Sequence, residues 1–553
     1  MAGKIACHCL DGFHRTDIFG KCIECERGGK HEGLECKTDF LNLKPGYWWE
    51  WQNETHRERY RNFSTNLINP QESFDNSFRD FNYPMPKATK CPREESCQGG
   101  VNAIDNPCKP GYEGPVCGIC QFGYYKQLQV CSKCPTKKSM AIQLGMLVGF
   151  FLFIVAILVW YSRKKTKKAR GRPLIDIIFA RLKIIIGFYQ VTYGLLEAFS
   201  FVKWPNVLDD IAQYSELLQL NFLQIAPLHC LFSSLQVDAF GSLYASMGLN
   251  ACAIAFFAFI LGVRYLMVTF SNSLTQMEKA KRISHAKELV YRNLFFFLFV
   301  TYLSTCSKTA NVLPLACRRL CRDKEGILCD DYLKADYGIR CHGTKYHLQL
   351  IGAYLNILYI IALPAFSIIV LWRERALIIA QKEEKRYQET LPNKEIVTGL
   401  RFLYENYDTP SWYWEVIEMA RKITLTSGLI LIGQESRAYV GVTCVLAGLY
   451  GMTFAYIAPI QDYFENKLMV TALSVTFINL GIGAVSRIPS ENREPFKDPL
   501  MDTNIFKITV LGANTLVVGQ LICKMSLRGL GALIDGMIFK YIRLKPSTLL
   551  ISN

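Results

Sequence analysis

Residues 139–161 form an uncharged apolar run of 23 residues. At about 1.5 Å of rise per residue, a helix of that length spans a hydrocarbon core roughly 30 Å thick. Arg163, Lys164, Lys165, Lys167, Lys168, Arg170 and Arg172 follow at once. A basic block beside a membrane helix marks the cytoplasmic face. The sequence before the run is therefore expected outside the cytosol. The sequence after it is expected to thread back and forth from there.

More apolar blocks follow. Helices are expected at 139–161, 174–200, about 242–268, about 290–310, about 348–372, about 413–433, about 438–460, 468–486 and 505–523. The fold class is a polytopic α-helical membrane protein of about nine membrane helices. A small, disulfide-rich, mostly irregular or β extracellular region precedes them. The net charge of +16 does not imply nucleic acid. Much of the excess sits in short segments beside the helices, at 279–292, 373–401 and 524–545, where basic residues fix topology. The loop 314–345 is basic too, yet the helix count puts it outside. Its cysteines, Cys317, Cys321, Cys329 and Cys341, read as the braces of an outer loop. Residues 203–240 open on Lys203-Trp204-Pro205, which suits a helix end at headgroup level. A complete extra span there would invert everything downstream.

Of 21 Cys, 12 precede Met140. That density points to disulfides in an oxidising compartment. The opening MAGKIACHCLDG has no apolar h-region of the kind a secretory leader carries, and reads as the inside of a Cys-rich module. Residues 1–36 hold Cys7, Cys9, Cys22, Cys25 and Cys36. Residues 37–90 lack Cys and carry LKPGYWWEW with two glycosylation sequons, at Asn53 and Asn62. The tryptophans could grip a sugar or a protein; the expected role is the small core of a module short of aliphatics. Residues 91–137 hold Cys91, Cys97, Cys108, Cys117, Cys120, Cys131 and Cys134. The two Cys-x2-Cys pairs also fit a zinc ribbon, but disulfides are expected on this side of the membrane.

The membrane region is expected to run from 138 to 523, with a cytoplasmic stalk at 373–411 and a cytoplasmic tail at 524–553. Its most informative stretch is SWYWEVIEMARKITLTSG, residues 411–428. Trp412, Tyr413 and Trp414 suit an interfacial belt. Glu415, Glu418 and Lys422 share a helix face, and Glu418 with Lys422 suits an i to i+4 pair. Ionisable residues there can line an ion path or lock a gate, or serve as a structural pair. Glu197 and Asn479 are further candidates for the path or gate, and Asn514 and Gln520 for polar contacts between helices. There is no P-loop, no HExxH and no nucleophile elbow; an enzyme, a cofactor and a metal are not expected.

The run Cys108-Lys-Pro-Gly-Tyr-Glu-Gly-Pro-Val-Cys117-Gly-Ile-Cys120-Gln-Phe-Gly-Tyr-Tyr125 resembles the ephrin-receptor-like or tumour-necrosis-factor-receptor-like Cys-rich repeat. Cys7-His-Cys9-Leu-Asp-Gly-Phe13 with Cys22 resembles part of an EGF-like module. Together with LKPGYWWEW, KIIIGFYQV, CDDYLKADYGIRC and YENYDTPSWYWEVIEMARK, the chain resembles multi-pass surface proteins of invertebrates and protists. The membrane part is more distantly similar to transient-receptor-potential-like and polycystin-like domains. The resemblance implies a channel-like or sensory protein of the plasma membrane, gated through its ectodomain. The alternatives are an adhesion or ligand-binding receptor with a non-conducting bundle, and a transporter or lipid-moving protein. The implied partners are membrane lipid, an extracellular protein or glycan, and a second copy of the chain.

Overall fold

The computed structural model describes residues 8–25, 33–68, 75–127, 130–142, 174–205, 238–271, 275–376, 399–432, 436–486 and 504–520, with isolated positions between them. Cys7, most of 139–161, the middle of the stalk and the tail at 524–553 lie outside the described residues.

The amino-terminal head is poor in regular structure. Its strands come in short antiparallel pairs, such as Leu34–Thr38 with Phe40–Leu43 and Tyr124–Gln127 with Val130–Lys133. Among the described residues its long helix, α1 (Glu54–Ile68), starts where the Asn53 carboxamide accepts from the Thr55 backbone and hydroxyl at 3.1 and 2.7 Å. A core of Phe40, Leu43, Trp49, Tyr60, Phe63 and Phe81 lies between helix and strands. Trp49 donates its indole N–H to the Ala103 carbonyl at 2.8 Å, and Trp51 to that of Ile104 at 3.2 Å. The WWEW cluster thus builds the core, with its polar edges satisfied. A core this small needs staples. The pairs are Cys9–Cys22, Cys25–Cys36, Cys91–Cys97, Cys108–Cys117 and Cys120–Cys131. Each closes a short loop and contributes on the order of 2–3 kcal/mol. Cys117, Cys120, Cys131 and Cys134 fall in three different disulfides rather than around one point.

The carboxyl-terminal region is helical. In chain order come α2 (Leu174–Ala198), α3 (Ala239–Thr269), α4 (Gln276–Val312), α5 (Thr344–Arg373), α6 (Trp414–Ile423, continued by a π-helical turn at Thr424–Gly428 and by Leu429–Ile432), α7 (Arg437–Ile457), α8 (Tyr463–Val485) and helical residues 504–520. Among the described residues five of these, α3, α4, α5, α7 and α8, are long and apolar enough to cross a membrane. The charged α2 runs through the main apolar cluster. Its Val191, Leu195 and Leu196, with Phe199 just beyond its end, pack on Leu425, Leu429, Val440 and Leu480. Gly187 and Gly194 let α6 approach. A Cβ on Gly187 would come within 2.6 Å of Lys422 Nζ, and one on Gly194 within 2.4 Å of Thr426. Trp204 is not at a surface: its ring lies over Gly483, and its indole donates to the Phe199 carbonyl at 3.1 Å. Helix α4 is longer than the expected span. Its first turns, opened by a Thr275–Glu278 capping box, carry the basic residues of 279–292. The ends of the expected stalk meet, since Ile378 and Val397 share a cluster with Leu371, Leu400 and Leu403.

The loop after α4 settles onto the head. It forms a three-stranded antiparallel sheet (Cys317–Cys321, Cys329–Leu333, Asp336–Arg340) braced by Cys317–Cys341 and Cys321–Cys329. Leu320, Tyr332 and Tyr337 enter one cluster with Trp48, Val116 and Cys117 of the head. A Cβ on Gly118 would come within 2.3 Å of the Tyr337 ring. Arg322 binds Glu50 at 2.8 Å, and its carbonyl accepts from the Lys87 N–H at 3.0 Å. Cys134, the last cysteine of the head, pairs with Cys230, 96 residues on. Head, outer loop and Cys230 therefore share one end of the bundle.

Candidate functional site: charged clusters at the two ends of the bundle

The stretch around Trp414 lies at the end away from the head. The loop before α6 is fixed to the turn after α7: the Asp408 N–H donates to the Pro459 carbonyl at 2.8 Å, and that of Gln461 to Asn406 at 3.0 Å. Ala458, with φ of 47°, turns the chain there. This brings Tyr407 beside the first turn of α6, where its hydroxyl donates to Glu415 at 2.6 Å. Lys183 of α2 reaches the same carboxylate at 2.6 Å and also donates to the Phe402 carbonyl at 3.3 Å.

One turn further, Glu418 accepts two bonds from the Arg421 guanidinium, at 2.8 and 2.6 Å, and one from Tyr450 of α7 at 2.7 Å. Lys422 stands 3.6 Å away. The close partner of Glu418 is thus Arg421, at i+3, because a planar fork binds both carboxylate oxygens at once. Arg181 of α2 stands 3.9 Å from Glu465 of α8, its guanidinium over the Phe464 ring at 4.6 Å. Glu415, Glu418, Glu465 and Arg181 are all buried. Two charged groups lie at this end: Glu415 and Glu418 with Lys183, Arg421 and Lys422, tied to α7 through Tyr450, and Arg181 with Glu465 between α2 and α8. Removing water from such ions costs several kcal/mol each, so the partners are obligatory. The aromatic residues divide: Tyr413 is 39% exposed, whereas Trp414 is buried against Phe454. Only part of the expected interfacial belt faces outward.

The remaining candidates lie elsewhere. Asn479 exchanges two hydrogen bonds with Asn514, at 2.9 and 3.1 Å, joining α8 to helical residues 504–520. Gln520 donates to Thr471 at 3.2 Å. Glu197 accepts from Asn311 of α4 at 2.8 Å, at the head end. Fourteen residues of α2 separate it from Lys183, about 21 Å along a helix. Glu415, Glu418 and Lys422 therefore share one site, and Asn479 and Glu197 are outside it. Arg181 and Lys183 were visible in the sequence as charges in an apolar helix. Tyr407, Tyr450 and Glu465 carried no local signal, since tertiary packing alone brings them in.

Between the two ends runs a neutral polar seam. Asn250 of α3 bonds Thr301 and Thr305 of α4 at 2.8 and 3.3 Å, and Asn356 of α5 bonds Thr309 at 2.7 Å. Such bonds hold helices together where apolar contact alone gives no preference for a partner.

In the head, Asn53 is exposed at the start of α1, while Asn62 is half-buried and its sequon partner Ser64 is buried. Apart from Cys7, every cysteine expected in a disulfide is in one. Cys230 was missed because it stands alone in sequence. The free Cys252, Cys306 and Cys444 all lie on bundle helices. No protein-family model matches this chain, and no curated protein or solved structure is significantly similar to it.

Proposed function

We propose that this chain is a nine-span, channel-like sensory membrane protein. Its disulfide-rich head receives the stimulus, and the charge network around Glu415 and Glu418 holds the bundle closed. The observation that carries this reading is the arrangement of the ends: the head is packed and cross-linked onto one end, and a closed ion network sits at the other. Parity supports nine spans. Cys134 and Cys230 share a side, so the chain between them crosses an even number of times. Counting the apolar run at 139–161 and α2 as these crossings gives two, and a further complete span before Cys230 would break the count. Helices α3 and α4 return the chain to the head side, where the 317–341 sheet sits. Helices α5 to α8 and residues 504–520 then leave the tail opposite the head. On that count the basic segments of the sequence at 163–172, 279–292, 373–401 and 524–545 are assigned to the side opposite the head, which agrees with the rule that basic segments are cytoplasmic. Disulfides and sequons support an extracellular head.

The test is current through the purified protein in planar bilayers under stretch or candidate ligand. Stimulus-dependent current that changes on Glu415→Gln or Glu418→Gln supports the reading. One observation favours a second reading, a receptor with a non-conducting bundle: Glu415, Glu418 and Asn479 each spend their polar atoms on bundle partners. Silent bilayers together with head-dependent clustering of cells would establish it instead.

A further inference from the structure

Two neighbouring residues of the head hold ring or guanidinium nitrogens against disulfide sulfurs. Arg15 is buried, and its Nε–H donates to Cys9 Sγ at 3.1 Å. Another nitrogen of the same guanidinium donates to the Ile18 carbonyl at 3.1 Å, which fixes its orientation. Asp39 stands 3.9 Å from Nε, its carboxylate already bonded by the Cys9 N–H and by His8. His14, also buried, has Nδ1 3.2 Å from Cys25 Sγ. Cys9 is paired with Cys22, and Cys25 with Cys36.

A disulfide is exchanged when a thiolate attacks one sulfur and the other leaves as a thiolate. The attacked sulfur must be open to solvent, and a cation beside the other stabilises the charge it acquires. The Cys9–Cys22 bridge meets both conditions. Cys22 is the one exposed residue among the described disulfide cysteines, and half-buried Cys9 carries the Arg15 contact. The Cys25–Cys36 bridge has His14 beside one sulfur, but Cys36 on the other side is buried. The sulfurs of Cys97 and Cys108 lie 3.7 and 3.8 Å from the carbonyl oxygens of Val116 and Gly114, which oppose a thiolate there.

We propose that the Cys9–Cys22 bridge is an exchange site for small external thiols, with Cys22 the attacked sulfur and Cys9 the leaving one. The incoming thiol gives its proton to solvent, and its thiolate forms a bond to Cys22 Sγ. The Cys22–Cys9 bond breaks, and its electron pair goes to Cys9 Sγ, where Arg15 holds the thiolate. One disulfide is consumed and one mixed disulfide formed, so no further oxidant or reductant is needed. The surrounding backbone stays tied when the bridge opens. The Gly12 N–H donates to the Cys36 carbonyl and the Cys25 N–H to the Gly12 carbonyl, both at 2.8 Å, and the Arg15 N–H donates to the Asp39 carbonyl at 2.6 Å. This chemistry rests neither on conduction nor on movement of the head.

The test uses the purified full chain in nanodiscs, its free thiols first capped with iodoacetamide. Reduced glutathione is added in limiting amount near neutral pH, and N-ethylmaleimide traps each new thiol. Peptide mass spectrometry of a non-reducing digest reads which sulfur carries which adduct. The first adducts should place glutathione on Cys22 and maleimide on Cys9. Glutathione on Cys9 with maleimide on Cys22, or another bridge opening first, overturns the proposal. Arg15→Gln separates an effect of charge from one of structure. If Arg15 holds the leaving thiolate, this variant should open roughly three- to tenfold more slowly. If Arg15 only braces the fold, its loss should speed opening; a rate that rises or stays unchanged overturns the role given to it. Should the variant fail to fold, the wild-type adduct pattern decides alone.

Discussion

The two ends of the bundle solve the same problem with different parts. At the far end the buried charges come from α2, α6 and α8, with bidentate and short contacts among them. At the head end Glu197, Lys308 and Lys126 are half-buried; Glu197 is held by Asn311, and Lys126, from the head, is held by the Ala335 carbonyl of the loop after α4. The first arrangement changes only if helices move. The second changes if the head moves. On the proposed sensory reading, a chain that carries an outside event inward needs one of each: a contact the head can make or break, and a contact that only the bundle can.

The largest effect that tests this contrast comes from breaking the far network on one side. Glu418→Ala leaves Arg421 buried without its carboxylate and should cost about 3–5 kcal/mol, read as a lower unfolding midpoint in nanodiscs. The double replacement Glu418→Leu with Arg421→Met should recover most of that loss, since an apolar pair has no ion to desolvate. If the single change is harmless, the network is open to water and the contrast fails. Next comes the bridge. Cys134→Ser should cost about 2–4 kcal/mol by freeing a long loop, and should remove the Cys134–Cys230 cross-linked peptide from a non-reducing digest. A smaller loss, about 1–3 kcal/mol of overpacking, is expected from Gly118→Val, which drives a side chain into Tyr337. It should weaken the head against the outer loop and leave the far network untouched, as amide exchange in α6 would report.

The smallest effect is one of pH. The Arg79 side chain, bonded to Asp17, holds that carboxyl below its usual range. A lowered folded-state pKa contributes stability that is present above the unfolded value and lost as pH falls through the folded one. Acidification below the ordinary carboxylate range should therefore weaken the head slightly. Asp17→Asn should flatten that dependence, which unfolding midpoints across the acid range would measure.

The sequence showed some of this and hid the rest, for physical reasons. Apolar length places α3, α5, α7 and α8 to within a few residues, because a long hydrophobic helix needs no partner to be recognised. Cysteine density identifies the braced head, yet Cys230 is invisible, since a lone cysteine gains meaning only from the one it meets. The Trp48–Trp51 cluster reads correctly as core because aromatic residues in a small module have little else to bury. Glu415 and Glu418 stand out as charges at a helix start, but their surroundings do not. Tyr407, Tyr450, Lys183 and Glu465 arrive from four separate places in the chain, and Trp414 turns inward because Phe454 waits there. Gly187 and Gly194 look ordinary until α6 packs on them. The Glu418–Lys422 pair expected from spacing forms at 3.6 Å, and Arg421, which spacing leaves on a neighbouring face, adds the closer bidentate contact.

The contrast between the two ends can be measured directly with double-mutant cycles for Glu50 with Arg322 and for Glu418 with Arg421, each run with the Cys134–Cys230 bridge intact and with both cysteines changed to Ser. The account predicts that the first coupling falls when the bridge is gone while the second is unchanged. Equal coupling at the head end with and without the bridge, or a parallel fall at both ends, would contradict it.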